Sequence, residues 1–226
     1  MAENSEINTS LIHIGSNGLV RVGKSIEITN KIISEYEERL LQETFPTVKI
    51  GNQEWMTKNL DVACYANGDT IPQVQNQTEW WNLKTGAWCY YDNDRENGKI
   101  FGKLYNWYAV NDPRGLAPKG WRIPSEDDWI ILSNCLGGKK LAGTKMKSTS
   151  GWKSKGNGTN ESGFSGLPGG YRIVPFGGIG SSGLWWSTTE DNTSDAWAWR
   201  LIYTHCVVGS SSQRKRYGIS VRCLRD

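Results

Sequence analysis

GLWWSTTEDNTSDAWAWRLIYTHCVVGSSSQRKRYGISVRCLRD, residues 183–226, opens on the pair Trp185–Trp186 and closes with Ile219, Val221 and Cys223 alternating against Ser220, Arg222 and Leu224. Alternation of this kind suits strands with one face on a core and one in water. Two or three short antiparallel strands are expected, locked at both ends, with Trp185, Trp186, Val221 and Cys223 as scaffold. Between the ends lie aromatic, small polar and basic side chains. Asp191, Thr193, Trp197, Trp199, Tyr203, His205, Ser210, Ser212, Arg214, Arg216 and Tyr217 are the candidates to point outward and bind a ligand. Trp, Tyr and Arg dominate binding hot spots, and Ser and Thr add adaptable polar contacts. Strand alternation puts Trp197 and Trp199 on one face, with Ala196, Ala198 and Arg200 on the other. One of those faces is core. If the two Trp are core, the binding surface shifts to Tyr203, His205 and the Ser210–Tyr217 segment.

Working outward, the 226-residue chain holds 12 Trp and 26 Gly, which suits a loop-rich fold pinned by large aromatics. A net charge of +3 is too small to imply a nucleic-acid partner. No apolar run is long enough for a membrane helix, so no membrane insertion is expected. Cys64, Cys89, Cys135, Cys206 and Cys223 are odd in number and none has C-x-x-C spacing, which argues against a zinc or redox motif. MAENSEINTS has no basic start followed by an apolar run, so a chain without a secretion signal, with reduced thiols, is the expectation. The histidines are His13 and His205, and G-x-S-x-G, H-E-x-x-H, P-loop and G-x-G-x-x-G motifs are absent. Neither catalysis nor a cofactor is expected.

The chain divides near Pro46. Leu11–Gly23 has two apolar-rich runs around Ser16-Asn17-Gly18, a hairpin signal. Ile28, Ile32, Tyr36 and Leu40 then recur every four residues, an amphipathic helix to about Thr44. A lone hairpin and helix bury little surface, so residues 1–45 are expected to dock or oligomerise the protein. The main domain, 46–226, starts with a strand, a Gly51-Asn52 turn and a second strand at Trp55-Met56. Residues 61–85 read as irregular. The acidic run Asp92, Asp94, Glu96, Gly98 has the wrong spacing for an EF-hand, with Lys103 at position twelve, and reads as a solvated loop. Leu104, Trp107 and Tyr108 suggest a short helix. Ser125 and Asp128 form a capping signal for a helix whose buried stripe is Trp129, Leu132 and Leu136, ended by Gly137-Gly138. Glu126, Asp127 and Asp128 are then helix-start acids rather than catalysts. Leu141–Ile173 reads as a long loop region anchored by Trp152, Phe164, Leu167 and Tyr171.

The segments GKLYNWYAVND, GWRIPSEDDW, KMKSTSGW, NESGFSGLPGGYR, LWWSTTE and GISVRCLRD occur in this order. Together they resemble the Fibrobacter succinogenes major paralogous domain over about Thr47 to Asp226. The resemblance implies an α+β, C-type-lectin-like fold of the formylglycine-generating-enzyme subtype: a small twisted antiparallel sheet, two helices and long loops. Such families include bacterial surface proteins and the variable proteins of diversity-generating retroelements, whose C-terminal strands and loops form a hypervariable ligand-binding surface. Two departures stand out. Ala117-Pro118-Lys119 replaces the family's Cys-Pro before Gly120-Trp121, and the usual export signal is missing. The implied function is a receptor-binding adhesin, at a phage tail tip or on a cell surface, with a host receptor, protein or glycan, as partner. A bacterial surface module lacking its leader is the alternative. A formylglycine-type enzyme would need a specific cysteine pair, and Cys206 and Cys223 are the late cysteines here. The lectin motifs Glu-Pro-Asn and Trp-Asn-Asp are absent, so calcium-dependent sugar binding is not supported, whereas sugar stacking on an exposed Trp stays open.

Overall fold

The computed structural model describes residues 45–226 and, before them, the strand pairs His13–Ile14 (β1) and Val20–Arg21 (β2). The chain splits into two compact units, Met1–Phe45 and Pro46–Asp226. In the first, β1 and β2 pair antiparallel, His13 opposite Arg21 and Ile14 opposite Val20. This is the hairpin expected around Ser16-Asn17-Gly18. The helix expected up to Thr44 lies outside the described residues.

The second unit is α+β. Its elements run β3 (Thr47–Ile50), β4 (Gln53–Met56), α1 (Gln77–Asn82), β5 (Trp88–Cys89), α2 (Arg95–Phe101), β6 (Leu104–Tyr105), α3 (Trp107–Val110), β7 (Trp121–Arg122) and α4 (Glu126–Cys135). They continue α5 (Lys139–Met146), β8 (Gly169–Arg172), β9 (Phe176–Ile179), β10 (Ser182–Glu190), β11 (Asp195–Ile202), β12 (Val208–Arg214) and β13 (Leu224–Arg225). One sheet has the order β12-β11-β10-β8-β9 and another β3-β4-β13-β7. β10 runs parallel to β8, so the larger sheet is mixed rather than wholly antiparallel.

Local chemistry explains the elements that the sequence announces. Gly51, at φ +61°, turns β3 into β4. Ser125 and Asp128 form a full capping box on α4. Burial pushes the Asp128 carboxyl up, but hydrogen bonds from Arg122 and Ser125 overcome it and hold the group below its ordinary value. Trp129, Leu132 and Leu136 are buried, and Gly137 and Gly138 end the helix at φ +98° and +85°.

Elsewhere the structure corrects the sequence reading. The helices number more than two. α5 falls in the stretch read as loop, where Gly143 lets it lie so close to the Cys206 carbonyl that a Cβ would come within 2.4 Å. α1 falls in the stretch read as irregular, and α2, capped by Asp94, occupies much of the acidic loop. The last segment has no water-facing side: Ser220 and Arg222 are as buried as Ile219, Val221 and Cys223. The reason is that it threads between neighbours on both sides. Ile219 exchanges backbone hydrogen bonds with Tyr105, Trp186 N–H donates to Ser220, and Leu60 and Met56 N–H donate to Val221 and Cys223.

Six of the twelve tryptophans, Trp55, Trp80, Trp129, Trp185, Trp186 and Trp199, are almost wholly buried. Trp129 is the hub of the main core. Its ring centroid lies 4.8 Å from Trp55, 5.8 Å from Trp199 and 6.3 Å from Trp185. Trp186, a fully buried residue of β10, donates its indole N–H to the Tyr105 carbonyl at 2.8 Å. Trp186→Ala therefore removes a large buried contact surface and one of the two donors to the Tyr105 carbonyl, the other being Ile219 N–H. The expected loss is about 3–5 kcal/mol, against a total of about 5–15 kcal/mol for such a domain. Urea denaturation reads it as a large drop in midpoint, and an unchanged midpoint would show that Trp186 is not scaffold.

Candidate ligand-binding surface

The register of β10, β11 and β12 sorts the candidate residues by face. Trp185 lies opposite Trp199, and Trp199 opposite Ser210. Trp197 faces Ser212, and Asp195 faces Arg214. Residues opposite one another in a ladder share a face. This face is turned to α4: Trp199 stacks on Trp129 at an interplanar angle of 12° and donates its indole N–H to Glu126 Oε2 at 2.6 Å. Trp199 is core, with none of its surface open to a ligand. The even division between the Trp face and the Ala face is resolved against Trp199. Trp197 is half-buried and Ala196 and Ala198 are buried.

The remaining candidates do not form one patch. Asp191 and Thr193 lie exposed in the β10–β11 connection, and Arg214 closes β12 beside them. Ser212 donates to Asp191 Oδ2 at 2.8 Å, and Arg214 donates to Asp195 Oδ2 at 3.3 Å. Ser210 is half-buried opposite Trp199. Tyr203 and His205 occupy the other end of β11, about 23 Å away at about 3.3 Å per residue. Tyr203 packs on the core cluster, and Gly156 lies close against it. His205 is exposed, and its Nδ1 accepts from the Val207 N–H at 3.3 Å. Arg216 and Tyr217 are adjacent but serve different hollows.

Arg216 helps to form a cleft of about 440 Å³, lined also by Thr193, Ser194, Arg214, Trp81, Asn82, Leu83, Lys84 and Tyr108. That volume lies in the range of small-ligand sites. The Arg216 guanidinium sits 4.0 Å over the Trp81 ring. Trp81 keeps 38% of its surface exposed, whereas Trp80 beside it is buried and donates its indole N–H to the Arg216 carbonyl at 2.8 Å. α1 is held from below by Arg172. Its guanidinium donates to the carbonyls of Val74, Gln75 and Asn76 at 2.6, 2.8 and 3.2 Å, and lies 4.4 Å from the Trp80 ring. Asn76 caps the helix by accepting from Glu79 N–H. A buried bolt thus presents Trp81 to solvent. A smaller hollow of about 150 Å³ opens on the opposite face of the sheet, with Arg200, Gln213, Tyr217 and Tyr171 in its wall.

Trp81, Lys84, Tyr108 and Arg200 are among the lining residues that sequence reasoning passed over. Consecutive Trp80 and Trp81 on a helix point about 100° apart, so the doublet was a signal that one of them faces out. Among the described residues no group of three or more His, Cys, Asp or Glu is placed to hold a metal. Asp94 caps α2 and Glu96 pairs with Lys99 at 2.7 Å. No helix of the described residues is long and apolar enough to cross a membrane. The five cysteines are unbridged, with Cys89 and Cys223 buried. Burial raises the Cys89 thiol to about 11 and carries Cys223 higher still.

The chain belongs to the Fibrobacter succinogenes major domain family, whose match spans residues 48–225. No curated protein and no solved structure is significantly similar to it.

The two environments of tryptophan separate by mutation. Trp199→Ala should cost about 3–5 kcal/mol. Trp81→Ala should stay within about 1 kcal/mol of the parent, since it loses an exposed ring and one cation–π contact. Thermal melting of the two variants checks this, and comparable losses would move Trp81 from the surface to the framework.

Proposed function

We propose that the chain is a non-catalytic receptor-binding protein, an adhesin that displays its cleft and C-terminal strand ends on a C-type-lectin-like scaffold. The observation that carries this reading is the separation of surface from framework. Thr193, Arg214 and Arg216 line the cleft with side chains that the core does not use. The adjoining strands are fixed by buried Trp185, Trp186, Trp199 and Leu201. Exposed substitutions usually move stability by less than about 0.5 kcal/mol, so recognition can change here while the fold stands. Membership of the Fibrobacter succinogenes major domain family supports a variable-protein role of the kind found in diversity-generating retroelements. A phage tail tip or a cell surface is the place such a protein would act, with a host receptor as partner.

Two pools of substitutions test the site. Thr193, Arg214 and Arg216 changed together to Ala should leave the melting temperature nearly unchanged and abolish binding of labelled protein to host cells. Tyr203 and His205 changed to Ala should leave binding largely intact, because they lie at the far end of β11. Full attachment by the first pool, or its failure to fold, would sink the proposal.

Residues 1–45 are proposed as the docking or oligomerisation piece, from the Ile28, Ile32, Tyr36, Leu40 stripe. Deleting them should leave a folded unit from Pro46 onward with a smaller mass per particle than expected from truncation alone. Light scattering measures that mass. Particles with the same number of chains before and after deletion would refute oligomerisation through this segment.

A further inference from the structure

We infer that the cleft beside Trp81 takes an acidic saccharide, a sugar that bears a carboxylate or a sulfate; this rests on the receptor-binding reading and narrows its ligand. Lys84, Arg214 and Arg216 line the cleft, and no carboxylate does. The turn that follows β12, closed by Tyr217 N–H donating to the Arg214 carbonyl at 2.8 Å, sorts the basic run. Lys215, between the two arginines, turns inward to Glu190 and the Thr193 carbonyl and lies 4.7 Å from the Trp107 ring. Arg214 and Arg216 are left facing the cleft.

Each arginine keeps capacity for an anion. Arg214 spends one N–H on Asp195, at 3.3 Å, out of five donors. Arg216 holds its guanidinium carbon 4.0 Å from the Trp81 ring centroid, and no carboxylate pairs with it among the described residues. A guanidinium held over a ring by a cation–π contact keeps its N–H donors, which fork onto carboxylate or sulfate oxygens. The contact also fixes the side chain before the ligand arrives, which lowers the ordering cost of binding.

The rest of the lining speaks for a sugar over other polyanions. Thr193, Ser194 and Asn82 supply hydroxyl and amide partners for ring hydroxyls, and Tyr108 supplies an aromatic surface with a polar tip. A nucleic-acid strand calls for a basic track along many phosphates, whereas this cleft has three cations on a chain of net charge +3. A protein epitope covers a broad face of roughly 800 Å² per partner, whereas this site is a concave cleft of small-ligand size, about 440 Å³.

The test immobilises the full chain and measures binding of polygalacturonate, dextran sulfate, neutral dextran and oligothymidylate. Binding of either acidic polysaccharide and not of dextran is expected; the tighter of the two assigns carboxylate or sulfate. Lys84→Ala and Arg216→Ala should each weaken that binding about tenfold and melt with the parent. Lys58→Ala removes the same charge from an exposed site in the turn region after β4 and should have no effect. Lys84 is itself exposed, so its variant folds whatever becomes of Arg216→Ala. Equal binding of dextran, tighter binding of oligothymidylate, equal damage from Lys58→Ala, or no binding of either acidic polymer would overturn the inference. Loss of cell attachment by the Thr193, Arg214, Arg216 pool without any acidic-polymer binding would overturn the ligand class alone and leave the receptor reading standing.

Discussion

One amide oxygen carries much of the framework. Asn59 Oδ1 accepts from Arg222 Nη2 at 2.7 Å, Arg222 Nε at 3.2 Å and Trp185 Nε1 at 2.8 Å. Asn59 also donates to the Phe101 carbonyl at 2.8 Å. Arg222 is fully buried, donates to the Phe164 carbonyl, and lies 4.3 Å from the Phe164 ring. No carboxylate joins it among the described residues. Burial therefore pulls its pKa down to about 9, and hydrogen bonds and ring faces offset the desolvation. A buried cation satisfied only by neutral acceptors tolerates little displacement, because each lost partner leaves a desolvated donor. The node consequently ties five pieces together: the end of the chain, β10, the long loop at Phe164, the segment after β4, and the end of α2 at Phe101.

The surface proposed to bind grows out of that fixed centre. β10 is held through Trp185 and Trp186, β11 through Trp199 and Leu201, and both hairpin ends project beyond the buried span. Arg172 repeats the device on a smaller scale, with neutral carbonyls at three positions and the Trp80 ring against its face. It fixes α1 where the Arg222 node fixes the sheet. The cleft forms where these two systems meet, so its aromatic wall and its basic wall come from elements anchored by separate arginines. Positioning of that quality suits recognition by a preformed site.

What the sequence disclosed was what local chemistry decides. The Gly51 turn, the Ser125–Asp128 box and the Trp129, Leu132, Leu136 stripe each need only neighbours within a few residues, and the structure has all three. The order of six short segments likewise identified the family. Alternation disclosed that Trp197 and Trp199 share a face, but not which face meets α4, because that depends on a helix about seventy residues earlier. It misplaced Arg222 for a related reason: a polar residue in an alternating run looks solvated until a distant amide and carbonyl are brought to it. α5 was hidden because KKLAGTKM buries just Ala142, Gly143 and Met146, too weak a stripe to register. The cleft combines residues 81–84, Tyr108 and 193–216, and no spacing rule links them.

The edge position of β12 explains how such a surface can stay tolerant of its own sequence. β12 ends the five-stranded sheet, and its seven residues VGSSSQR pair with β11 from Val208 to Arg214. The ladder is made by backbone groups, which are the same whatever side chains they carry. Register needs pins, since a slip by one residue would exchange the faces. Two buried side chains supply them: Val208 in the core at one end, and Lys215 against Glu190 and the Thr193 carbonyl at the other. Between the pins, Gly209 to Gln213 are small or polar and contribute little burial of their own. The exposed edge is also blunted by polar and charged side chains rather than apolar ones, which discourages pairing with another chain. A strand fixed at its ends and held by its backbone can therefore exchange its intervening side chains, because the constraint that keeps the register asks little of them.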